Sequence, residues 1–135
     1  YLVVETDEAV VLDLEAGVEH IGRGTARQVD VLLIVADSNL KSLEIAKHIH
    51  DLASAAGMKQ LYLIGNRVMS EEQKQAIKSY ADNNGLTLLD FVPFDTKVTE
   101  SDMLGKTPLL NKEISAVKTI DNICELLLKK NQQTA

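Results

Sequence analysis

The chain has 135 residues, 45% of them hydrophobic, with 14 Lys and Arg against 20 Asp and Glu. That balance describes one folded domain with its own core and excludes a disordered tail. A formal net charge of -6 argues against duplex DNA or an anionic membrane as the main partner, because both demand a surplus of Lys and Arg. The longest purely apolar run, Val31 to Ala36, is far short of the roughly 20 residues that span a bilayer, and the first residues carry no basic-then-apolar leader, so a soluble, cytoplasmic protein is expected. Cys124 has no second cysteine to pair with, in keeping with a reducing compartment. Tyr1 is not a translation start and opens inside the apolar stretch Tyr1–Val4, so further sequence upstream is expected.

In chain order, the first apolar run is Ala9 to Leu12; three others follow at Val31 to Val35, Leu61 to Ile64 and Thr87 to Val92. All four lack polar alternation, which predicts strands buried on both faces. Between the second and third, Leu43, Ala46, Ile49, Leu52, Ala53 and Ala56 recur at helical spacing, entered through Ser38 or Asn39 and left at Gly57. Between the third and fourth, Ser70-Glu71-Glu72-Gln73 forms a capping box, and the helix it opens stops at Asn84-Gly85. A last helix, with Asn111 as cap, lays Ile114, Val117, Ile120, Cys124, Leu127 and Leu128 on one stripe. Strands separated by crossover helices pair in parallel, so the fold class is α/β, a mostly parallel sheet flanked by helices. Residues 1–130 make the folded portion and residues 131–135 a frayed polar tail.

Ligands of such sheets sit at the carboxyl ends of the strands. After the first run the chain reads Asp13-Leu14-Glu15-Ala16-Gly17-Val18-Glu19-His20-Ile21-Gly22-Arg23-Gly24-Thr25. Gly17, Gly22 and Arg23 approach the spacing of a phosphate loop, but Arg23 and Gly24 stand where its Lys and hydroxyl residue belong, and that reading fails. Asp13 and Gly17 instead fit D-x-x-x-G, the switch II pattern of phosphate-loop NTPases: the carboxylate holds a magnesium-bound water and the bare glycine N–H approaches a γ-phosphate. Taken alone, an Asp after a strand equally serves as a helix cap. Likewise Asn66 alone is as readily a turn residue, and Pro93 a strand terminator.

The stretch from Val10 to Ala26, with Glu15-Ala16-Gly17, Glu19-His20 and Gly22-Arg23-Gly24, closely resembles the switch II region of the accessory ATPases of carbon monoxide dehydrogenase. These form the CooC-like branch of the MinD and ParA group of deviant phosphate-loop ATPases. Leu61-Tyr62-Leu63-Ile64-Gly65-Asn66-Arg67-Val68 resembles the group's strand ending in an Asn-Arg or Asn-Lys pair. Phe91-Val92-Pro93-Phe94-Asp95, continued by Val98, Glu100, Ser101, Asp102, Gly105 and Pro108, resembles the loop that covers the base.

The resemblance implies ATP or ADP and Mg2+ as cofactors of the complete protein. Asp13 and Gly17 would serve catalysis, and Asn66, Arg67, Pro93, Phe94 and Asp95 would hold adenine. It further implies nickel insertion into carbon monoxide dehydrogenase as the biological role, that enzyme as partner, and a homodimer. Family members also carry a two-lysine phosphate loop, a switch I Asp and a Cys-x-Cys pair, and none of these occurs in this chain. No metal ligands are therefore assigned within it. The chain is expected to be the C-terminal portion of such an ATPase: a partial fold without the phosphate-loop strand, completed by an N-terminal half or a second copy of itself, and not hydrolysing ATP alone. The rival expectations are a fragment of a MinD or ParA positioning or partitioning ATPase, and a truncated interaction module without catalysis. Against the former stand the acidic charge and the absence of an apolar face after Leu128, so no nucleic-acid or membrane partner is expected.

Overall fold

The computed structural model describes residues 8–14, 21, 24 and 29–134, residues 131–134 by their backbone alone. Gly17 and Tyr1–Glu5 lie outside the described residues. Strands β1 (Leu32–Ala36), β2 (Leu61–Val68) and β3 (Leu88–Pro93) alternate with helices α1 (Leu40–Ala55) and α2 (Glu71–Asn84). Then follow α3 (Thr96–Met103), a 3-10 turn (Pro108–Leu110) and α4 (Ser115–Thr134). The strands form a three-stranded sheet in the order β1-β2-β3, both pairs parallel. This is the expected α/β class.

Local chemistry sets the helix limits. The Asn39 carboxamide accepts from Ser42 N–H and opens α1; the Ser70 hydroxyl accepts from Gln73 N–H and opens α2. Gln73 answers by accepting from the Met69 N–H at 2.8 Å, one residue upstream of the usual capping-box donor. Gly85, at φ 69°, closes α2 in the left-handed conformation that glycine adopts without strain. Asn111 does not open α4. Its carboxamide accepts from Glu113 N–H at 3.0 Å, and the helix starts later, at Ser115. Toward the other end α4 continues through Thr134.

Ile34 and Ala36 of β1 and Leu63 and Val68 of β2 form the main core with Leu43 and Ala46 of α1 and Ile77 and Ala81 of α2. Phe91 joins this cluster. Its neighbour Val92 packs instead with Ile114, Ala116 and Val117 at the start of α4. Successive strand residues point to opposite faces, so α4 covers the face that α1 and α2 do not. At its far end the Lys130 ammonium stands 4.8 Å from the centre of the Tyr62 ring. Val35 of β1 remains 59% exposed.

The two edges of the sheet differ chemically. Along β3, Phe94 N–H donates inward to Val68 O at 2.9 Å, so by alternation the Pro93 and Phe91 nitrogens face outward. Pro93 has no N–H to offer, and the Phe91 N–H is taken at 2.7 Å by the Asp90 carboxylate. Along β1 the sequence Leu32-Leu33-Ile34-Val35-Ala36 carries neither charge nor proline, and among the described residues no strand lies beyond it.

The run Ala9 to Leu12, expected as a fourth strand, belongs to no strand. Residues 8–14 are exposed, Val11 to 92%. Among the described residues no strand pairs with this segment, and apolar content alone does not make a strand without a neighbour to complete its ladder.

Candidate functional site

The carboxyl ends of the three strands bring together Asp37 after β1, Asn66 and Arg67 within β2, and Pro93, Phe94 and Asp95 at the end of β3. The ladder between β2 and β3 shifts register twice: first between Leu63, which pairs with Leu88, and Ile64, which pairs with Asp90, and again after Gly65, which pairs with Phe91, the next pair being Val68 with Pro93. Three steps along β2 therefore match two along β3, leaving a bulge at Asn66 and Arg67. Bulges of this kind re-aim side chains and recur beside active sites. Strict alternation would put Val68 on the same face as Tyr62 and Ile64. The extra residue returns it to the α1 and α2 core, where it is buried.

Arg67 carries the geometric cost of this bulge. At φ 51° it is the only non-glycine residue with positive φ among the described residues, a conformation that few side chains adopt. Its Nε donates to Asp37 Oδ1 at 3.2 Å and its Nη2 to Asp37 Oδ2, a two-point ion pair. The hydrogen bond to Asp37, reinforced by the opposite charge, pushes the guanidinium pKa up. Asp37 is itself held from α1, since its N–H donates to Ser42 Oγ at 3.0 Å. Asn66 is half-buried and its carboxamide bonds to no other described residue. A side chain with donor and acceptor both free at a strand's carboxyl end is equipped to meet a ligand edge that offers the complementary pair.

The Pro93–Asp95 loop is tied to the bulge through the Phe94 N–H bond to Val68 O, and the Phe94 ring is 45% exposed. Asp95 opens two helices. Oδ1 accepts from Lys97 N–H at 3.0 Å in the first turn of α3, and Oδ2 accepts from Ser115 N–H at 3.0 Å and Ser115 Oγ at 2.8 Å at the start of α4. The Ser115 hydroxyl first, then the Lys97 N–H, hold the Asp95 carboxyl below the usual carboxylate range. A depressed carboxyl contributes stability that is present above its unfolded pKa and lost as pH falls through the folded value. The amide resonances of Lys97 and Ser115 are therefore expected to titrate together on acidification, with a midpoint below the ordinary 3.8. The D95N protein is expected to lack this titration, and independent midpoints for the two amides would contradict the double cap.

Of the residues predicted from sequence, Asn66, Arg67, Pro93, Phe94 and Asp95 thus meet at adjoining strand ends. Asp13 does not sit at the end of a strand as expected; it lies in the exposed, strandless segment 8–14 and bonds to no other described residue. Gly17 falls outside the described residues. Asp37 was missed, although an Asp directly after an apolar run is the same signal that singled out Asp13. A cavity of about 200 Å³ is lined by Val68, Lys74, Asp90, Phe91, Pro93 and Thr119. It shares only Pro93 with this constellation and is smaller than a typical pocket for a nucleotide-sized ligand. Among the described residues, no group of three His, Cys, Asp or Glu side chains is placed to hold a metal ion, and no helix is long and apolar enough to cross a membrane.

No protein-family model matches the chain. Among curated proteins, an uncharacterized ATP-binding protein of Methanocaldococcus jannaschii is 39% identical over 134 residues, a match covering 99% of this chain and 51% of that protein. The chain is homologous to ATP-binding proteins. A second uncharacterized ATP-binding protein of the same organism is 34% identical over 127 residues, 91% of this chain and 49% of its own length. The carbon monoxide dehydrogenase accessory protein CooC of Rhodospirillum rubrum is 36% identical over 105 residues, 78% of this chain and 39% of its own. The chain therefore spans about half the length, or less, of these relatives.

Proposed function

We propose that this chain supplies the base-binding side of an ATP site in an accessory ATPase that serves nickel insertion into carbon monoxide dehydrogenase. The observation that carries the first part is Asn66: a carboxamide with free donor and acceptor, set in a bulge at the carboxyl end of β2 and beside the Pro93–Asp95 loop. Adenine presents a donor and an acceptor side by side, which a carboxamide matches with two hydrogen bonds, whereas guanine presents two acceptors on the corresponding edge. Pro93 and Phe94 flank the base and Arg67 borders it. Asp95 acts through the fold, holding the loop to the helices that follow. Asp13 organises the magnesium-bound water and Gly17 meets the γ-phosphate once the remainder of the site is assembled, as a homodimer or with a longer polypeptide. In this reading the described residues hold the base, and the chain alone is not expected to hydrolyse ATP, because the phosphate loop and its Lys are supplied by the remainder of the site. The similarity to the carbon monoxide dehydrogenase accessory protein CooC supports carbon monoxide dehydrogenase as the partner, and the resemblance of the stretch Val10 to Ala26 to the accessory ATPases implies nickel insertion as the role.

Calorimetric titration of the full-length protein tests the base site. ATP is expected to bind in preference to GTP, and N66A to weaken ATP binding by about ten- to a hundredfold, the loss of a paired polar contact inside a site. Equal affinity for ATP and GTP, or an unaffected N66A protein, would overturn the assignment. The role in nickel insertion is tested by the nickel content of carbon monoxide dehydrogenase purified from cells with and without the protein, and equal occupancy in the two would refute it.

A further inference from the structure

The Asp37–Arg67 pair lies on the surface, with side chains 28% and 66% exposed, and surface ion pairs contribute little to stability. Its position gives it a different use. One partner is the sole described non-glycine residue at positive φ, and it is the second residue of the bulge whose first residue is Asn66. The other partner is fixed at the end of β1 by Ser42, whose own N–H is fixed by the Asn39 cap of α1. The two-point geometry joins Nε and Nη2 to both carboxylate oxygens, so it constrains the orientation of the guanidinium as well as its distance. An arginine held that way cannot easily relax its backbone out of the left-handed region, and the bulge cannot easily slip back into register.

We propose that Asp37 is a positioning residue for base recognition: by clamping Arg67 across the ends of β1 and β2 it locks the bulge that presents Asn66. The inference rests on the reading of Asn66 as the base reader. Asp37 itself touches no ligand. Its loss frees Arg67 to leave positive φ, and the carboxamide then samples orientations in which its donor and acceptor no longer match adenine. Discrimination between bases falls, while stability hardly moves.

The test measures dissociation constants for ATP and for GTP on the full-length protein, together with thermal midpoints, for the wild type, D37A and D37E. D37A is expected to lower the preference for ATP over GTP by about threefold or more. D37E, which keeps the carboxylate on a longer stem at an exposed site, is expected to retain the preference to within about threefold. Both are expected to melt within about 2 °C of the wild type, because only an exposed pair is lost. A preference unchanged in D37A, or lost equally in D37E, overturns the clamp. A wild type that binds ATP selectively while D37A does so equally well defeats the clamp alone. A wild type with no selectivity defeats the reading of Asn66, and the clamp with it.

Discussion

Replacing Ile77 with alanine is expected to cost about 2–5 kcal/mol of folding stability, the range for deleting a large aliphatic side chain from a packed core. Ile77 is fully buried and stands on α2 among Ile34, Leu63, Val68, Ala81 and Leu86, with Phe91 packed against the cluster. Both β2 and β3 contribute to that cluster, so a cavity left there removes contacts on two strands and the surrounding helix can close only part of it. Equilibrium unfolding in urea reads the loss as a lower midpoint with an unchanged slope. A cost below about 1 kcal/mol would mean that the site collapses freely and is not the close-packed junction described.

The second large effect concerns Gly65, one position before the bulge. A Cβ there would lie 2.8 Å from the Ile77 Cδ1 and 2.8 Å from the Phe91 Cδ1, closer than carbon atoms pack. Glycine at this position is a matter of space, since its φ is not positive. G65A is expected to cost about 1–3 kcal/mol through overpacking. The same contact makes the two substitutions interact. In the I77A background one of the two colliding groups is gone, so the added Cβ occupies part of the cavity and the cost of G65A is expected to fall by about 0.5–2 kcal/mol. Strict additivity of the two would show that the crowding lies elsewhere. The measurement also bears on the site: whatever shifts Phe91 or Ile77 to admit a methyl group moves the strand segment from which Asn66 emerges, so G65A is expected to weaken ATP binding more than I77A does, relative to the stability each one loses.

What could be read along the chain was what neighbouring residues decide between themselves. The apolar runs at 31–35, 61–64 and 87–92 became β1, β2 and β3, and Ser70 with Gly85 marked both ends of α2, because capping and turn chemistry act over three or four residues. The parallel arrangement followed from the length of the crossovers. What escaped depends on distant parts of the chain. Ala9 to Leu12 has strand composition but, among the described residues, no strand beside it, and a ladder needs a neighbour. Asn111 has cap chemistry, yet the carboxylate that reaches Ser115 comes from Asp95, 20 residues earlier. Arg67 finds its partner 30 residues back, and the bulge that gives the pair its meaning is a mismatch between two strands, written in neither alone. For the candidate site, the family resemblance picked out Asn66 and the Pro93–Asp95 loop, while the geometry that unites them came only from the register of β2 against β3.

The unequal edges of the sheet impose a polarity on any larger assembly. A strand approaching β3 would have to displace the Asp90 carboxylate from the Phe91 amide and would still find no donor at Pro93, losing hydrogen bonds where it should gain them. Among the described residues no strand pairs with the outer edge of β1, an uncharged segment with the exposed, apolar Val35 side chain beside it. Among the described residues, then, a further strand is opposed at the β3 edge, while the β1 edge carries no such obstacle.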